Sequence, residues 1–409
     1  MMAQLLVTIE PYDTMVFRDG RPFEQDDQGL AETVDVFPPP PPAVTGAVRV
    51  ALAAALGVPS GSSWSDAANV LAAAGEAAKA DALRLLPKLE VIGPLLFDPN
   101  ATGAVEERIY VPCPFSLLFA KVSLLFAKES IVPVGRLLPY ASTNHQINGL
   151  IAGLWPLHAA PFPSAKMSHD DVPGAGHYIS LATLKRHLRR PGSAPVTPAQ
   201  HNTVITEREQ RVGIAVDKAT GRAEDGMLFT ASHQRLKGWR IAALIEDRRE
   251  LDAITEVDAV APFGGEGRFA RVRLHRADGP ITAFTPHDQG LNIKHHAKVM
   301  NVAVIALTPV PVNAALPGFC HPAWPGAVCV AAAHERPVTI GYAHRDFARG
   351  RRESEIIRAY PAGSVWFWQI PIAKAGGARA KLDELAQSGR LAPPDLAELG
   401  FGAFMAGTW

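Results

Sequence analysis

The chain has little cysteine and no excess of charge of either sign. Its 409 residues include three cysteines, Cys113, Cys320 and Cys329, too few and odd in number for a disulfide framework. No pair of them has zinc-finger spacing. Lys and Arg together number 40, as do Asp and Glu, so bulk charge gives no pointer to a polyanionic partner. The N-terminus lacks a basic-then-apolar leader, and the best apolar run, Val299 to Val312, is interrupted by Asn301, Thr308 and two prolines. The expectation is therefore a cytoplasmic protein without a membrane span. There is no Gly-x-x-x-x-Gly-Lys loop, no Gly-x-Ser-x-Gly elbow and no His-Glu-x-x-His pair. Three common routes to catalysis are thereby excluded.

What is present points to a globular chain with many loops. Apolar residues make up 47% of it, separated by 34 glycines and 35 prolines. Its length exceeds the usual size of one core, so two domains are expected. Pro191 to Gln200 holds three prolines with Gly, Ser and Thr, which places the boundary between 1–195 and 196–409. Helices are expected over Ala43 to Leu56, Asp66 to Leu86 (capped by Ser65), Leu181 to Arg190 and Ala380 to Gln387. Strands are expected over Leu5 to Ile9, Leu89 to Phe97, Ile109 to Ala120, Arg240 to Ile245, Arg268 to His275, Ala303 to Leu307, Val328 to Ala332 and Val365 to Ile370. A hairpin pairs Val212 to Val216 with Met227 to Ala231. With no repeat and no regular βαβ rhythm, the class is α+β.

The most informative stretch lies near the start. Ile9-Glu10-Pro11-Tyr12-Asp13 leads to Phe17-Arg18-Asp19-Gly20-Arg21-Pro22-Phe23, then to Phe37, the prolines Pro38 to Pro42, and Val44-Thr45-Gly46-Ala47-Val48-Arg49. A buried strand ends in a turn, and a stiff proline spacer opens a helix. That helix carries Val44, Val48, Ala51, Leu52 and Ala55 on one face, with Arg49 off the stripe and so aimed at a phosphate. Gly46 costs about 1 kcal/mol against alanine inside a helix, so it marks close approach of another backbone or of RNA. Arg18, Arg21 and Arg49 form a cationic mouth.

The pattern resembles the RAMP superfamily of CRISPR proteins, and within it the third-subunit family of type III-B Cmr effector complexes. Later matches follow in order: Arg211-Val212-Gly213-Ile214, Thr220-Gly221, Gly226-Met227-Leu228-Phe229-Thr230, Gly264-Gly265-Glu266-Gly267-Arg268, Pro361-Ala362-Gly363-Ser364-Val365 and Phe401-Gly402. Gly341-Tyr342-Ala343-His344 departs from the Gly-Gly-Trp found in many relatives. The resemblance implies two ferredoxin-like (RRM-like) domains with long insertions. It further implies a non-catalytic subunit in antiviral defence that holds the 5′ repeat-derived tag of the guide RNA (crRNA). Its protein partners would be a Cas10-type large subunit and the backbone RAMP subunits, and it would need no cofactor or metal.

Basic segments are the candidate contacts. Along Arg268 to Arg276 the alternation puts Ala270, Val272 and Leu274 on one side and Phe269, Arg271, Arg273 and His275 on the other. One aromatic with several cations suits single-stranded RNA; the rival is a solvated edge strand with local ion pairs. Gly264 and Gly265 let backbone amides approach a phosphate next to Arg268. Arg345 to Arg352, beside Gly341 and Gly350, reads as a mobile basic loop in which Gly341, Arg345 and Arg349 contact RNA or another subunit; the rival is a merely solvated loop. Arg186, Arg189 and Arg190 sit at a helix C-terminus, where the dipole alone explains them. His233, Arg235, Lys237, Trp239 and Arg240 form a mixed basic and aromatic patch. Asn144 and His145 are read as RNA hydrogen-bonding groups. As an alternative, His145 is a general base on a ribose hydroxyl, making the chain a metal-independent processing endoribonuclease. His169 with His177, and the adjacent His295 and His296, lack metal-ligand geometry. A purely structural interaction subunit is the remaining alternative.

Overall fold

The computed structural model describes residues 3–18, 31–33, 36–59, 61–122, 130–139, 157–161, 172–173, 176–189, 199–217, 219–276, 281–282, 299–312, 328–346, 351–371 and 391–408. The chain is α+β. Its first unit is built on four strands: β1 (Ala3–Pro11), β2 (Val91–Phe97), β3 (Arg240–Glu246) and β4 (Phe269–His275). They lie side by side in the order β2-β3-β1-β4 with every neighbour antiparallel. Further strands extend this to nine, including Ile109–Pro112 beside β2 and Asp258–Pro262 beside β4.

Alternation along the strands builds two cores. On one side Leu5, Val7 and Ile9 of β1, with Ile241 and Ile245 of β3, pack under α1 (Pro41–Ala55). This helix starts on prolines, whose fixed φ suits a first turn and whose missing N–H costs nothing there. It buries Val44, Ala47, Val48, Ala51 and Leu52, as its periodicity requires, while Ala55 faces solvent. On the other side Leu6, Phe97 and Leu244 meet Ile305, Phe367 and Met405.

Those last residues belong to a second sheet of β5 (Val299–Ala306), β6 (Val328–Ala333), β7 (Val365–Pro371) and β8 (Phe404–Thr408). Its order, β6-β7-β5-β8, repeats that of the first unit's four central strands, again antiparallel throughout. A short helix, α2 (Pro394–Glu398), precedes β8. The boundary expected between residues 195 and 196 does not divide the sheets. β1 hydrogen-bonds to both β3 and β4, which follow that point, because interior strands of a sheet must satisfy both edges.

Several expected elements come out differently. The single helix from Asp66 is two, Trp64–Ala73 and Ala77–Leu85, broken where Gly75 adopts φ +85°. Its cap is Ser63, whose hydroxyl accepts from the Asp66 amide, and not Ser65. The strand from Ile109 ends at Pro112 and resumes at Leu117. The hairpin at residues 212–231 is longer, Thr206–Val216 with Ala223–Leu236. Of the basic loop expected at Arg345 to Arg352, both ends lie on paired strands, Val338–Asp346 and Arg351–Tyr360, with Arg345 opposite Arg352 in register, and residues 347–350 lie outside the described residues. The helix expected at residues 380–387 lies outside the described residues. Among the described residues no helix is long and apolar enough to cross a membrane.

Candidate functional site

Four segments far apart in sequence meet at the turn after β1. Met15 exchanges backbone hydrogen bonds with Gln234, at 2.7 and 2.9 Å. Gly265 donates its amide to the Val16 carbonyl oxygen at 2.8 Å. Gly264, at φ +100°, sits so close to that oxygen that a Cβ would lie 3.1 Å from it. Glycine is required here by conformation and by space together. Phe17 packs edge-on against Phe263, with centroids 5.1 Å apart.

Asp13 is the hub of this junction. Its carboxylate accepts from Arg235 at 2.7 Å, Arg268 at 2.6 Å and Arg211 at 3.3 Å. These guanidiniums, Arg235 foremost, hold the carboxyl far below the usual carboxylate range. Glu209 pairs with both Arg235 and Arg211, and Arg268 also lies 3.7 Å from Glu266. Three guanidiniums therefore face three carboxylates, and the knot carries no net charge. It fastens the turn rather than attracting a polyanion. Behind it, buried His233 has Nδ1 2.8 Å from Thr14 Oγ1 and Nε2 3.5 Å from Glu266. Burial pushes its pKa down, with the Glu266 carboxylate opposing.

The expected site residues separate into distinct groups. Arg18 is exposed at the end of this turn. Gly264, Gly265 and Arg268 stand at the junction, but the guanidinium expected on a phosphate is tied to Asp13. Arg271 lies on β4, half-exposed and paired with Asp258. Arg49, expected to reach solvent, does not: it donates to the carbonyl oxygens of Leu89 at 2.9 Å and Glu398 at 2.7 Å. Gly46 is exposed, and a Cβ on it would meet nothing within 4 Å, so among the described residues no other backbone packs against it. Gly341 is a strand residue opposite Ile356, not a loop residue, and Arg345 is on the same strand. Arg21, Asn144, His145 and Arg349 lie outside the described residues.

Local sequence marks Asp13 only as part of the opening motif and Arg235 only as part of a mixed basic and aromatic patch. The available signal was alternation: Glu209 and Arg211, then His233 and Arg235, are two apart on facing strands and share a face. Among the described residues no cluster of three or more His, Cys, Asp or Glu side chains is placed to hold a metal ion.

A family model described as CRISPR-associated protein (Cas_Cmr3) matches residues 7–409. No curated protein matches significantly. Two solved chains resemble this one over most of its length. One is from a cryo-EM structure of the type III-B Cmr-beta bound to cognate target RNA, 15% identical, TM-score 0.44, covering 98% of this chain and 96% of that one. The other is from the same assembly with cognate target RNA and AMPPnP, 14% identical, TM-score 0.43, covering 98% and 99%.

Proposed function

The chain belongs to the Cas_Cmr3 family of CRISPR-associated proteins, and from that premise we propose that it is a non-catalytic, RNA-binding subunit of a type III-B Cmr effector complex. In this role it holds the 5′ tag of the guide RNA and bridges the Cas10-type large subunit to the backbone RAMP subunits. The strand orders β2-β3-β1-β4 and β6-β7-β5-β8 support reading it as two ferredoxin-like units. The first is interrupted by the long insertion between β2 and β3.

The observation that carries the reading is the junction around Asp13. The family's opening turn, its Arg211 segment and its glycine turn, all distant in sequence, are locked together by one carboxylate. A charge-neutral lock fixes the turn that ends at exposed Arg18, and a fixed scaffold beside a ligand-binding cation is what such a role needs. His145, the general base of the endoribonuclease alternative, lies outside the described residues, and the junction's own His233 is buried with Thr14 and Glu266 against its two nitrogens, a structural setting.

The test is co-expression with the neighbouring complex subunits and guide RNA, followed by nuclease footprinting. Protection of the 5′ tag that depends on this chain is the expected result. Incubation of the pure chain with repeat RNA in chelator is expected to leave the RNA intact. Specific cleavage would transfer the assignment to a processing endoribonuclease.

A further inference from the structure

Away from the Asp13 knot, a second set of arginines lies on the first sheet, on the face whose other end carries Leu6 and Leu244 against the second sheet. Glu10, Arg240, Arg271 and Arg273, from β1, β3 and β4, surround a cavity of about 320 Å³ with Tyr12 on its rim. Register and alternation put them there. Glu10 pairs across from Arg271, while the intervening Ile9, Ile241, Ala270 and Val272 are buried on the opposite face. The core thus fixes which way the cations point.

Two carboxylates aim the guanidiniums. Arg240 lies 3.3 Å from Glu10, Arg273 lies 3.8 Å from Glu10 and 3.6 Å from Asp258, and Arg271 pairs with Asp258. Three cations against two anions leave one positive charge in excess, unlike the balanced knot at Asp13. Two aromatic side chains flank the cluster in the open: Tyr12 is 62% exposed and Phe269 50%. A buried ion network has no use for exposed rings, and an apolar protein partner has no use for three partly desolvated guanidiniums.

We propose that this cavity is a nucleotide site for single-stranded RNA, in which Arg240, Arg271 and Arg273 hold one backbone phosphate and the Tyr12 ring stacks on an adjoining base. This deepens the RNA-binding reading above and rests on it. Guanidinium forks match phosphate oxygens, and a ring face accepts any base, so the site follows the strand without reading its sequence. Glu10 and Asp258 keep the forks oriented in the free protein and compete with the phosphate when RNA arrives.

The experiment is fluorescence anisotropy of the full-length chain with labelled oligouridylate across a salt series, and in parallel with guide RNA carrying the repeat-derived tag. Tyr12→Ala is expected to weaken oligouridylate binding about 5- to 100-fold, whereas Tyr12→Phe retains it. Arg240→Gln with Arg273→Gln is expected to lower the salt slope by about 0.7, one phosphate contact on a single strand. Glu10→Gln, which removes the competing charge, is expected to tighten binding. All these positions are at the surface, and a thermal melt of each variant confirms its fold. If the wild-type chain binds RNA and every variant matches it, the site is overturned while the RNA-binding reading stands. If the wild-type chain binds neither RNA, both fall. Unchanged RNA affinity in Tyr12→Ala together with loss of a co-expressed protein subunit gives the face to a protein partner and also overturns the proposal.

Discussion

Arg49 of α1 donates a 2.7 Å hydrogen bond to the backbone carbonyl oxygen of Glu398 in α2, a residue 349 positions further along the chain. The same guanidinium donates to Leu89 at 2.9 Å, just ahead of β2. Burial pushes its pKa down to about 10, with the Glu398 carboxylate opposing, so it stays charged at neutral pH. This arginine is a clamp between the opening helix and the C-terminal segment. Arg49→Ala is therefore expected to lower stability by about 1.5–3 kcal/mol, the range for hydrogen bonds made by a charged group. Urea denaturation measures it. The affinity of the folded fraction for RNA is expected to stay at the wild-type value; a loss of affinity with unchanged stability returns Arg49 to the interface.

Two glycines from the same set of motifs are expected to respond in opposite directions. Gly363 adopts φ +92°, and a Cβ there would lie 2.6 Å from the Cys113 carbonyl oxygen, where the second unit abuts the first. Gly363→Ala is expected to destabilise by more than the roughly 1–2 kcal/mol of left-handed strain alone. Gly46 is helical and exposed, and among the described residues nothing lies within 4 Å of a Cβ there, so Gly46→Ala is expected to stabilise the free protein by about 0.5–1 kcal/mol. Thermal melts of the two variants, run side by side, check both signs.

Asp13 sets an acid limit on the junction. Its folded-state pKa is depressed below the ordinary 3.8, so its contribution to stability is complete above that value and is lost as pH falls below it. The stability gap between the wild-type chain and Asp13→Asn is accordingly expected to be widest near neutral pH and to narrow on acidification below about pH 4. Denaturant midpoints measured from pH 7 to pH 3 give the comparison. A gap that widens in acid contradicts the assignment.

Arg18 is exposed at the end of the turn that the knot fastens. Arg18→Ala combined with Arg21→Ala is expected to weaken guide-RNA binding without a shift in melting temperature. The salt slope is expected to drop by about 0.7 for each phosphate contact removed. An affinity and slope equal to wild type across the salt series take the pair out of the interface.

Much of the scaffold was legible because it rests on local patterns. Branched apolar runs gave β1 to β4 and β5 to β7 within a few residues, and the apolar stripe of α1 named its buried face. The hairpin Val338–Asp346 with Arg351–Tyr360 escaped, since its arginine-rich strands carry little apolar alternation to mark them. The fate of each cation was not legible. Arg268 and Arg271 are three apart on neighbouring turn and strand, equally basic in the sequence, yet one fastens Asp13 and the other borders the open cavity.

By itself, then, the sequence determined the α+β class, the main strands and α1, the glycine turns and the family, all of which are encoded in periodicity and short motifs. Only the tertiary structure decided that Arg49 and Arg268 are fasteners and that Arg240, Arg271 and Arg273 converge beside Tyr12. The physical reason is range. A side chain's hydrogen-bond partner is chosen by which group the sheet topology brings within 3 Å, and for Arg268 that partner, the Asp13 carboxylate, is 255 residues away.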